Sequence, residues 1–543
     1  MILNLNPDQE VAANSIHGDY VVVAGPGSGK TAVFVQRFMR MVSTHCIPVK
    51  DILNLTFTNS AASEMVERVG LADMKSVFRT FHSFAMELLS NEREHLPFEL
   101  GESIINPGAQ YQLMKDLIHI YPPITTFHSL RDYIESKQSA NIDPDQAISE
   151  AYHTQGTEYF YASAYKDYEK KSREQGWLDF HGIMKETVKL LETNNEVRER
   201  NRKKYISVDE CQDTDVTQFR LLQLLYGGNI FVVGDENQLI YEWRSAQSGN
   251  LSNFGKTFPG AKTLYLGQNY RSTQKLVDFY KKIIPVDNGI ASHMVSMREG
   301  GTAPTFTKFG DDYEEAATVL GCITDPEETV VIARTNRQLL NFQKMCMGRN
   351  IKSMILGRKD LWQQNEVKDL LDLAKKHTHD PRPAHIVLEE AMNQGNLVHR
   401  YRNTGQPNEK DPIENLNSVI KVSAKRGTTK EFLDWVRKLT YGIEAAKTKP
   451  LAQRRDKTPV LSLTTVHQAK GKEWKHVFVI GAKQGIMPHK DGELLEEHRI
   501  FFVACSRAAD TLDISFYGSP SQFLNDFQEE IEVYDSRRRS PTD

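Results

Sequence analysis

The sequence is short of several things, and each shortage narrows the reading. No apolar run approaches the roughly 20 residues that a membrane-spanning helix needs, and no basic segment followed by an apolar run opens the chain. Neither a membrane anchor nor a signal peptide is expected, which points to the cytoplasm. Cysteine is scarce: Cys46, Cys211, Cys322, Cys346 and Cys505 stand far apart, with no CxxC pair. That spacing argues against a zinc ribbon or a disulfide scaffold and fits a reducing compartment. Charge of one sign is lacking too. With a formal net charge of −4, any nucleic-acid surface has to be a local groove rather than a basic whole. No tandem repeat and no long low-complexity segment is evident.

What is present is a globular composition, 39% hydrophobic and 25% charged, in a chain of 543 residues. That length is too great for one ordinary core, so two to four domains are expected, as an order-of-magnitude prior. Apolar runs that read as buried strands recur at Tyr20–Ala24, Ile52–Phe57, Tyr205–Val208, Ile230–Val233, Thr263–Leu266, Val330–Ala333, Val460–Leu463, Val477–Ile480 and Leu512–Phe516. Most alternate with helical patterns, as parallel sheets with crossover helices require. Two stretches interrupt the alternation, about Glu92 to Gly176 and about Lys375 to Lys457. Both are polar and helix-like and read as insertions into sheet domains.

The most informative segment is Tyr20–Thr31, YVVVAGPGSGKT. A β-branched strand runs into Ala24, Gly25, Pro26, Gly27, Ser28 and Gly29, and a helix pattern opens at Lys30. Backbone N–H groups of such a loop can wrap a triphosphate. Lys30 can reach the β and γ phosphates, and Thr31 can ligate Mg²⁺. Downstream, YISVDECQD ends a strand in Asp209 and Glu210. The first suits Mg²⁺ held through water, and the second suits the role of general base toward the attacking water. In VVGDENQLIYEWRSA, Gln238 sits where an amide can sense the γ-phosphate. Tyr241, Trp243 and Arg244 follow, an aromatic and cationic mix that suits stacking on single-stranded bases, although aromatics also serve as ordinary core. Arg271 in LGQNYRST and Arg507 in FFVACSRAA lie near element ends far from the loop. Distant arginines converging on one phosphate would place the nucleotide between two domains.

Taken in order, LNPDQ, AGPGSGKT, TFTNSAASEM, TFHSFA, VDECQD, VGDENQLIYEWRSA, QNYRST, TTVHQAKGKEW and EEHRIFFVACSRA resemble the motif series of the UvrD/Rep/PcrA-type superfamily 1A DNA helicases, over residues 5 to about 528. The resemblance implies an α/β fold of two RecA-like parallel-sheet domains, each with a mostly helical insertion. It sets the first sheet domain at 1–88 and 177–264, with its insertion at 89–176. The second sheet domain falls at 265–374 and 458–530, with a short insertion at 375–457 and a polar tail at 531–543. It implies that Gln9 and Arg37 contact adenine, that Tyr270 stacks on it, and that Glu473 reaches the ribose. Lys30, Thr31, Asp209, Glu210, Gln238, Arg271 and Arg507 would form the hydrolytic site for ATP with Mg²⁺. Phe57, Asn59, His82, Tyr241, Trp243, Arg244 and His467 would line a DNA track.

The implied activity is ATP-dependent translocation on single-stranded DNA, with 3′→5′ unwinding of 3′-tailed duplexes and no membrane. Which protein partner and which pathway it serves stay open. A DNA-stimulated regulatory ATPase, of the type of the helicase-like subunit of the Gabija antiphage defence system, is the alternative. The chain departs from the family pattern at Leu239, Glu242, Ser245, Gly267 and Trp474, and Glu242 sets a negative charge beside the expected DNA track. The second insertion is about half the family's usual length.

Overall fold

A computed structural model describes residues 4–70, 77–101, 104–124, 126–152, 156–241, 249–357, 361–402, 410–449, 453–454 and 458–534. The chain divides into two units. One comprises Met1–Tyr270 with Val286–Val295, and the other Arg271–Pro285 with Ser296–Asp543.

The first unit is built on a six-stranded parallel sheet. In chain order its strands are β1 (Tyr20–Ala24), β2 (Ile52–Thr56), β3 (Phe78–Thr80), β4 (Lys203–Val208), β5 (Tyr226–Gly234) and β6 (Lys262–Leu266). They lie in the spatial order β3-β2-β4-β5-β1-β6. Both faces are covered, as a parallel sheet requires. Val22, Ala24, Ile52, Tyr205, Phe231 and Val233 face one core, which includes Phe34, Phe38 and Met41 of the helix Lys30–Ser43. Val21, Leu53, Leu55, Ile206, Val208 and Val232 face the other, with Phe84, Leu88 and Ile183. The two-residue alternation within β2, β4 and β5 thus sorts every side chain to a known face.

Within the first insertion, the helices Pro107–Ile120, Phe127–Ser139, Pro144–Tyr152 and Thr157–Glu174 close over a core of their own that includes Met114, Leu117, Leu130, Ile134, Tyr165 and Tyr168. A buried polar network ties the last of them to the helix Phe180–Thr193. Lys185 is 3% exposed, and its ammonium donates to Glu169 at 2.8 Å and to the Tyr165 hydroxyl at 2.9 Å. It also lies 3.0 Å from Asp143. Arg173 in turn bridges Glu169 and Glu186.

Two short strands, β7 (Gln268–Asn269) and β8 (Val295–Ser296), follow in sequence. The second unit is built on a seven-stranded parallel sheet of β9 (Thr305–Phe309), β10 (Thr329–Ala333), β11 (Ser353–Ile355), β12 (Leu461–Thr465), β13 (Trp474–Val479), β14 (Ala508–Tyr517) and β15 (Ile531–Val533). Their spatial order is β11-β12-β10-β13-β14-β9-β15. Its insertion contains the helices Ala384–Gln394, Lys410–Ser423 and Thr429–Thr448, and their core takes in Leu388, Leu416, Phe432 and Ile443.

All nine expected strands are present, with ends that differ by a few residues. Four strands that pair in these sheets carry no long apolar run and are additions: β3, β9, β11 and β15. The helix Asn365–Ala374 gives Val367, Leu370 and Leu371 to the second insertion's core, ahead of the expected start of that insertion at 375. The first unit also runs past 264, because Leu266 pairs with Ala24 in the sheet. Among the described residues no helix is long and apolar enough to cross a membrane.

Replacing Lys185 by Met removes the cation that sits among Glu169, Asp143 and Tyr165 and leaves buried carboxylate charge undercompensated. The variant is expected to lose about 3–5 kcal/mol in urea-induced unfolding. A loss below about 1 kcal/mol, the range of an exposed pair, would show that the network contributes no more than a surface salt bridge.

Candidate nucleotide site and strand-contact residues

Three neighbouring strands of the first sheet end at the same edge, β1 and β5 within one residue of each other and β4 two residues short of β5. Val23 of β1 pairs with Gly234 of β5, and Val232 of β5 pairs with Val208 of β4. Whatever follows each strand is therefore delivered to one edge, the carboxyl edge where ligands of open parallel sheets bind. After β1 comes the glycine loop, after β4 Asp209 and Glu210, and after β5 Asp235 and Gln238. Alternation sets the face as well. Phe231 and Val233 face the core of the helix Lys30–Ser43, and Asp235 follows them in phase.

The loop is held by its neighbours' polar groups. Gly25 N–H donates to Leu266 C=O at 3.0 Å, and Tyr270 N–H donates to Gly27 C=O at 2.9 Å. Asn269 Nδ2 donates to Pro26 C=O at 2.8 Å, and Ser28 Oγ donates to Gly25 C=O at 2.7 Å. Gln9 is 4% exposed and donates its Nε2 to Ser28 C=O at 2.9 Å. These contacts occupy loop carbonyls and leave N–H groups to turn toward an anion. Gly29 has φ +80°, a left-handed backbone that favours glycine, and a Cβ there would also lie 2.7 Å from Gln9 Nε2 and push that amide off Ser28 C=O.

Gln9 and Asn6 form a reciprocal cap on the helix Pro7–Asn14. Asn6 Nδ2 donates to the Tyr270 hydroxyl at 2.8 Å. The structure thus brings together Gln9, the loop and Tyr270, whose ring is 44% exposed. Such a ring offers a free face for a base.

Asp209 is 4% exposed, and its Oδ1 has no hydrogen-bond partner. Its carboxyl is raised above the usual range, mainly by burial and then by the charge of Glu210, with Lys30 opposing. Asp235 is raised by burial and likewise opposed by Lys30. Lys30 therefore lies in the field of two buried carboxylates. An orphaned carboxylate oxygen and the Thr31 hydroxyl are hard oxygen donors of the kind Mg²⁺ takes, so these residues fit that cation.

Glu210 holds a left-handed backbone at φ +50°, a conformation that costs a non-glycine residue free energy and marks an over-determined turn. Gln212 spans the turn: its Nε2 donates to Glu210 Oε2 at 2.7 Å, and its Oε1 accepts from Asp235 N–H at 3.0 Å. A Cβ on Gly234 would lie 2.3 Å from that Oε1, so a larger residue here would displace the Gln212 amide from its bridge. Asp235 accepts from Gln238 Nε2 at 2.7 Å. Lys30, Asp209, Glu210, Asp235 and Gln238 thus form one constellation within the first unit.

Arg37 corrects the expectation of an adenine contact. It lies seven residues beyond Lys30, about 10 Å along the helix, on the side facing the sheet. It is 1% exposed and stacks over Phe231 at 4.5 Å. Its guanidinium donates to Ser15 C=O, Ile16 C=O and Ser207 Oγ. Burial lowers its pKa to about 9.

Of the expected strand-contact residues, Phe57 and Tyr241 stack at 5.7 Å between ring centroids with 18° between planes. His82 packs edge-on against Phe180 at 5.6 Å, and burial, followed by His181, lowers its pKa to about 4. Asn59 is exposed at the start of the helix Asn59–Val69. Trp243 and Arg244 lie outside the described residues.

In the second unit, Arg271 donates to Glu473 at 2.6 Å and to Ser506 C=O at 3.0 Å. Arg507 is 1% exposed and donates to Val503 C=O at 3.0 Å, Lys472 C=O at 3.3 Å and Ser506 Oγ at 2.8 Å. Its guanidinium is drawn to the carboxyl end of the helix Leu494–Cys505. The structure therefore groups Arg271, Glu473 and the Arg507 segment. His467 is half-buried on the helix Val466–Ala469.

Sequence reasoning did not single out Asn6, Gln212, Asp235, Asn269 or Phe180. Asn6 was legible: Asn-Pro with Gln three residues after Asn is a capping-box signature. Phe180 is an apolar residue at a helix start, 58% exposed, and nothing local distinguishes it from core.

A parallel sheet whose adjacent strands deliver a phosphate loop, a buried Asp-Glu pair and a Gln-bearing turn to one edge is that of a P-loop nucleotide-binding ATPase. The chain matches the UvrD/REP helicase N-terminal domain over residues 5–259 and the UvrD-like helicase C-terminal domain over 264–380 and 384–519. It belongs to the UvrD/Rep family of ATP-dependent DNA helicases. The ATP-dependent DNA helicase PcrA of Staphylococcus epidermidis is 25% identical over 643 aligned residues, covering 98% of this chain and 87% of the relative. PcrA of Staphylococcus aureus is 25% identical over 639, with the same coverage.

Arg37→Ala leaves two buried carbonyls and Ser207 without their donor. It is expected to lower stability by about 2–5 kcal/mol in chemical denaturation while the folded fraction keeps wild-type nucleotide affinity. A stable variant with weakened nucleotide binding would restore the adenine role.

Proposed function

We propose that the chain is an ATP-driven motor that moves 3′→5′ along single-stranded DNA and displaces the complementary strand of a 3′-tailed duplex. One observation carries the reading. Tyr241 stands three residues after Gln238 and stacks on Phe57, which directly follows β2. A single short segment therefore runs from the nucleotide edge to an aromatic pair of the type that grips bases. A change at Gln238 on loss of the γ-phosphate is passed to that pair without a longer route.

In this reading the glycine loop and Lys30 hold the triphosphate. Tyr270 stacks on the base, with Gln9 and Asn6 fixing that corner. Thr31 and Asp209 would hold Mg²⁺, which would supply charge neutralisation of the phosphate oxygens. Glu210 accepts the proton of the attacking water. Its left-handed backbone and Gln212 aim its carboxylate. Arg271 and Arg507 supply cations to the leaving phosphate, for which Arg271 exchanges Glu473 and Arg507 exchanges its carbonyl partners. Glu473, 61% exposed on its side chain, turns to the ribose. Phe57, Asn59, His82, Tyr241, Trp243, Arg244 and His467 form the track.

The second reading is a DNA-stimulated regulatory ATPase, favoured by the compact second insertion. ATP hydrolysis and strand displacement, measured together on 3′-tailed, 5′-tailed and blunt duplexes, separate the two. The motor displaces strands from 3′ tails only. Stimulated hydrolysis with no displacement on any substrate would establish the regulatory reading instead. Lys30→Ala is expected to abolish turnover and keep DNA binding within about twofold, since the lysine meets phosphate and not DNA. Near-normal hydrolysis by this variant would overturn the loop's role.

A further inference from the structure

Behind the nucleotide edge, the sheet carries a polar strip in a place built for apolar side chains. Asn54 and Thr56 on β2, and Ser207 and Asp209 on and after β4, all project to the face covered by the helix Lys30–Ser43. That follows from their phase with Ile52 and Tyr205, which lie in that core. Asn54 is paired with Ser207 in register, and Leu55 with Val208. Asp209 N–H donates to Leu55 C=O at 2.9 Å, so the ladder continues and sets Thr56 beside Asp209. The four side chains make a two-by-two block, exposed by 1%, 1%, 2% and 4% for Asn54, Thr56, Ser207 and Asp209 respectively.

Ser207 is accounted for by Arg37 at 2.8 Å. The other three are not. Both polar atoms of Asn54, Thr56 Oγ1 and Asp209 Oδ1 are buried without a hydrogen-bond partner. An unmatched buried polar group costs about 1–3 kcal/mol, and three side chains left so on one face are a concentration that apolar residues would have avoided. The strip leads to Asp209, the carboxylate assigned above to the cation. Asn54 supplies two donors and an acceptor, and Thr56 supplies one donor and two acceptor lone pairs. That set matches what water between them and Asp209 Oδ1 needs.

We propose that Asn54 and Thr56 are positioning residues for the Mg²⁺ site. Through water held between them and Asp209 Oδ1, they fix the orientation of the Asp209 carboxylate and the hydrogen bonds of water on the cation. Neither touches the nucleotide. Partners of metal ligands act in this way, and their removal typically costs about 10–100-fold in metal affinity. The inference rests on the assignment of Thr31 and Asp209 to Mg²⁺ given above.

The test is equilibrium binding of a fluorescent, non-hydrolysable ATP analogue to the full chain, titrated in EDTA and across a range of Mg²⁺. In wild type, Mg²⁺ tightens binding; if it does not, the cation assignment itself fails, irrespective of Asn54 and Thr56. In Thr56→Val, which keeps shape and removes the hydroxyl, the Mg²⁺ concentration needed for half the effect is expected to rise about tenfold. Affinity in EDTA should stay at the wild-type value. Thr56→Ser should restore the wild-type Mg²⁺ dependence. Asn54→Ala should behave as Thr56→Val, with unfolding temperature measured alongside; if it does not fold, the Thr56 pair decides. Wild-type Mg²⁺ dependence in folded Thr56→Val would overturn the proposal. So would an equal loss of affinity with and without Mg²⁺, since that marks a purely structural role.

Discussion

The register of the first sheet is the constraint on which the nucleotide site depends. Because β1, β5 and β4 are parallel neighbours whose carboxyl ends fall within about two residues of one another in register, three loops far apart in sequence meet at one edge. A slip of one residue in any of these strands would turn its side chains to the opposite face and send Asp209 or Asp235 away from Lys30. The apolar alternation that prevents the slip is the same alternation that buries Ile206, Val208 and Val232 on one face and Tyr205, Phe231 and Val233 on the other. Core packing and site assembly are therefore one requirement on these strands.

Burial gives that edge its electrostatic character. Asp209 and Asp235 both sit out of water, which disfavours their charge, and Lys30 opposes the effect on each. The site holds more negative potential than burial favours, and a bound cation reverses the balance. The same logic separates Arg37 from the other arginines. Arg37 is fixed by backbone carbonyls under the helix Lys30–Ser43, and its charge serves packing. Arg271 is itself largely buried but is paired with an exposed carboxylate, Glu473, and with Ser506 C=O. Arg507 lies between these cases: it is buried, but its acceptors are neutral oxygens at a helix end.

Much of this was legible in the residues. Tyr20–Thr31 carries strand, loop and helix signals in the right order, and the strand ends that precede Asp209 and Gln238 followed from apolar runs. β3, β9, β11 and β15 were not legible, because they are three to five residues long and lack an apolar run. β9, for instance, reads Thr-Phe-Thr-Lys-Phe and buries only its two phenylalanines, Phe306 and Phe309. The adenine contact of Arg37 was implied by the family resemblance alone, and two turns of helix carry this residue away from the loop and under the sheet. Asn54 and Thr56 were hidden for a different reason. Within ILNLT they read as tolerated polar residues in a strand, and only the pairing of β2 with β4 shows that they sit beside Asp209. Asn269 and Tyr270 were visible as residues but not as a brace on the glycine loop, since that contact depends on where the chain returns after β6.

The central claim is that this edge binds ATP through the loop and hydrolyses it through Glu210. Glu210→Gln tests it most directly, because the amide keeps the shape of the side chain and cannot take a proton from water. Nucleotide affinity and single-turnover hydrolysis should be measured on the same preparation. The account predicts wild-type affinity for ATP with Mg²⁺ and a hydrolysis rate reduced by about 10²–10⁴. Hydrolysis within a few-fold of wild type would contradict it and move the catalytic base elsewhere.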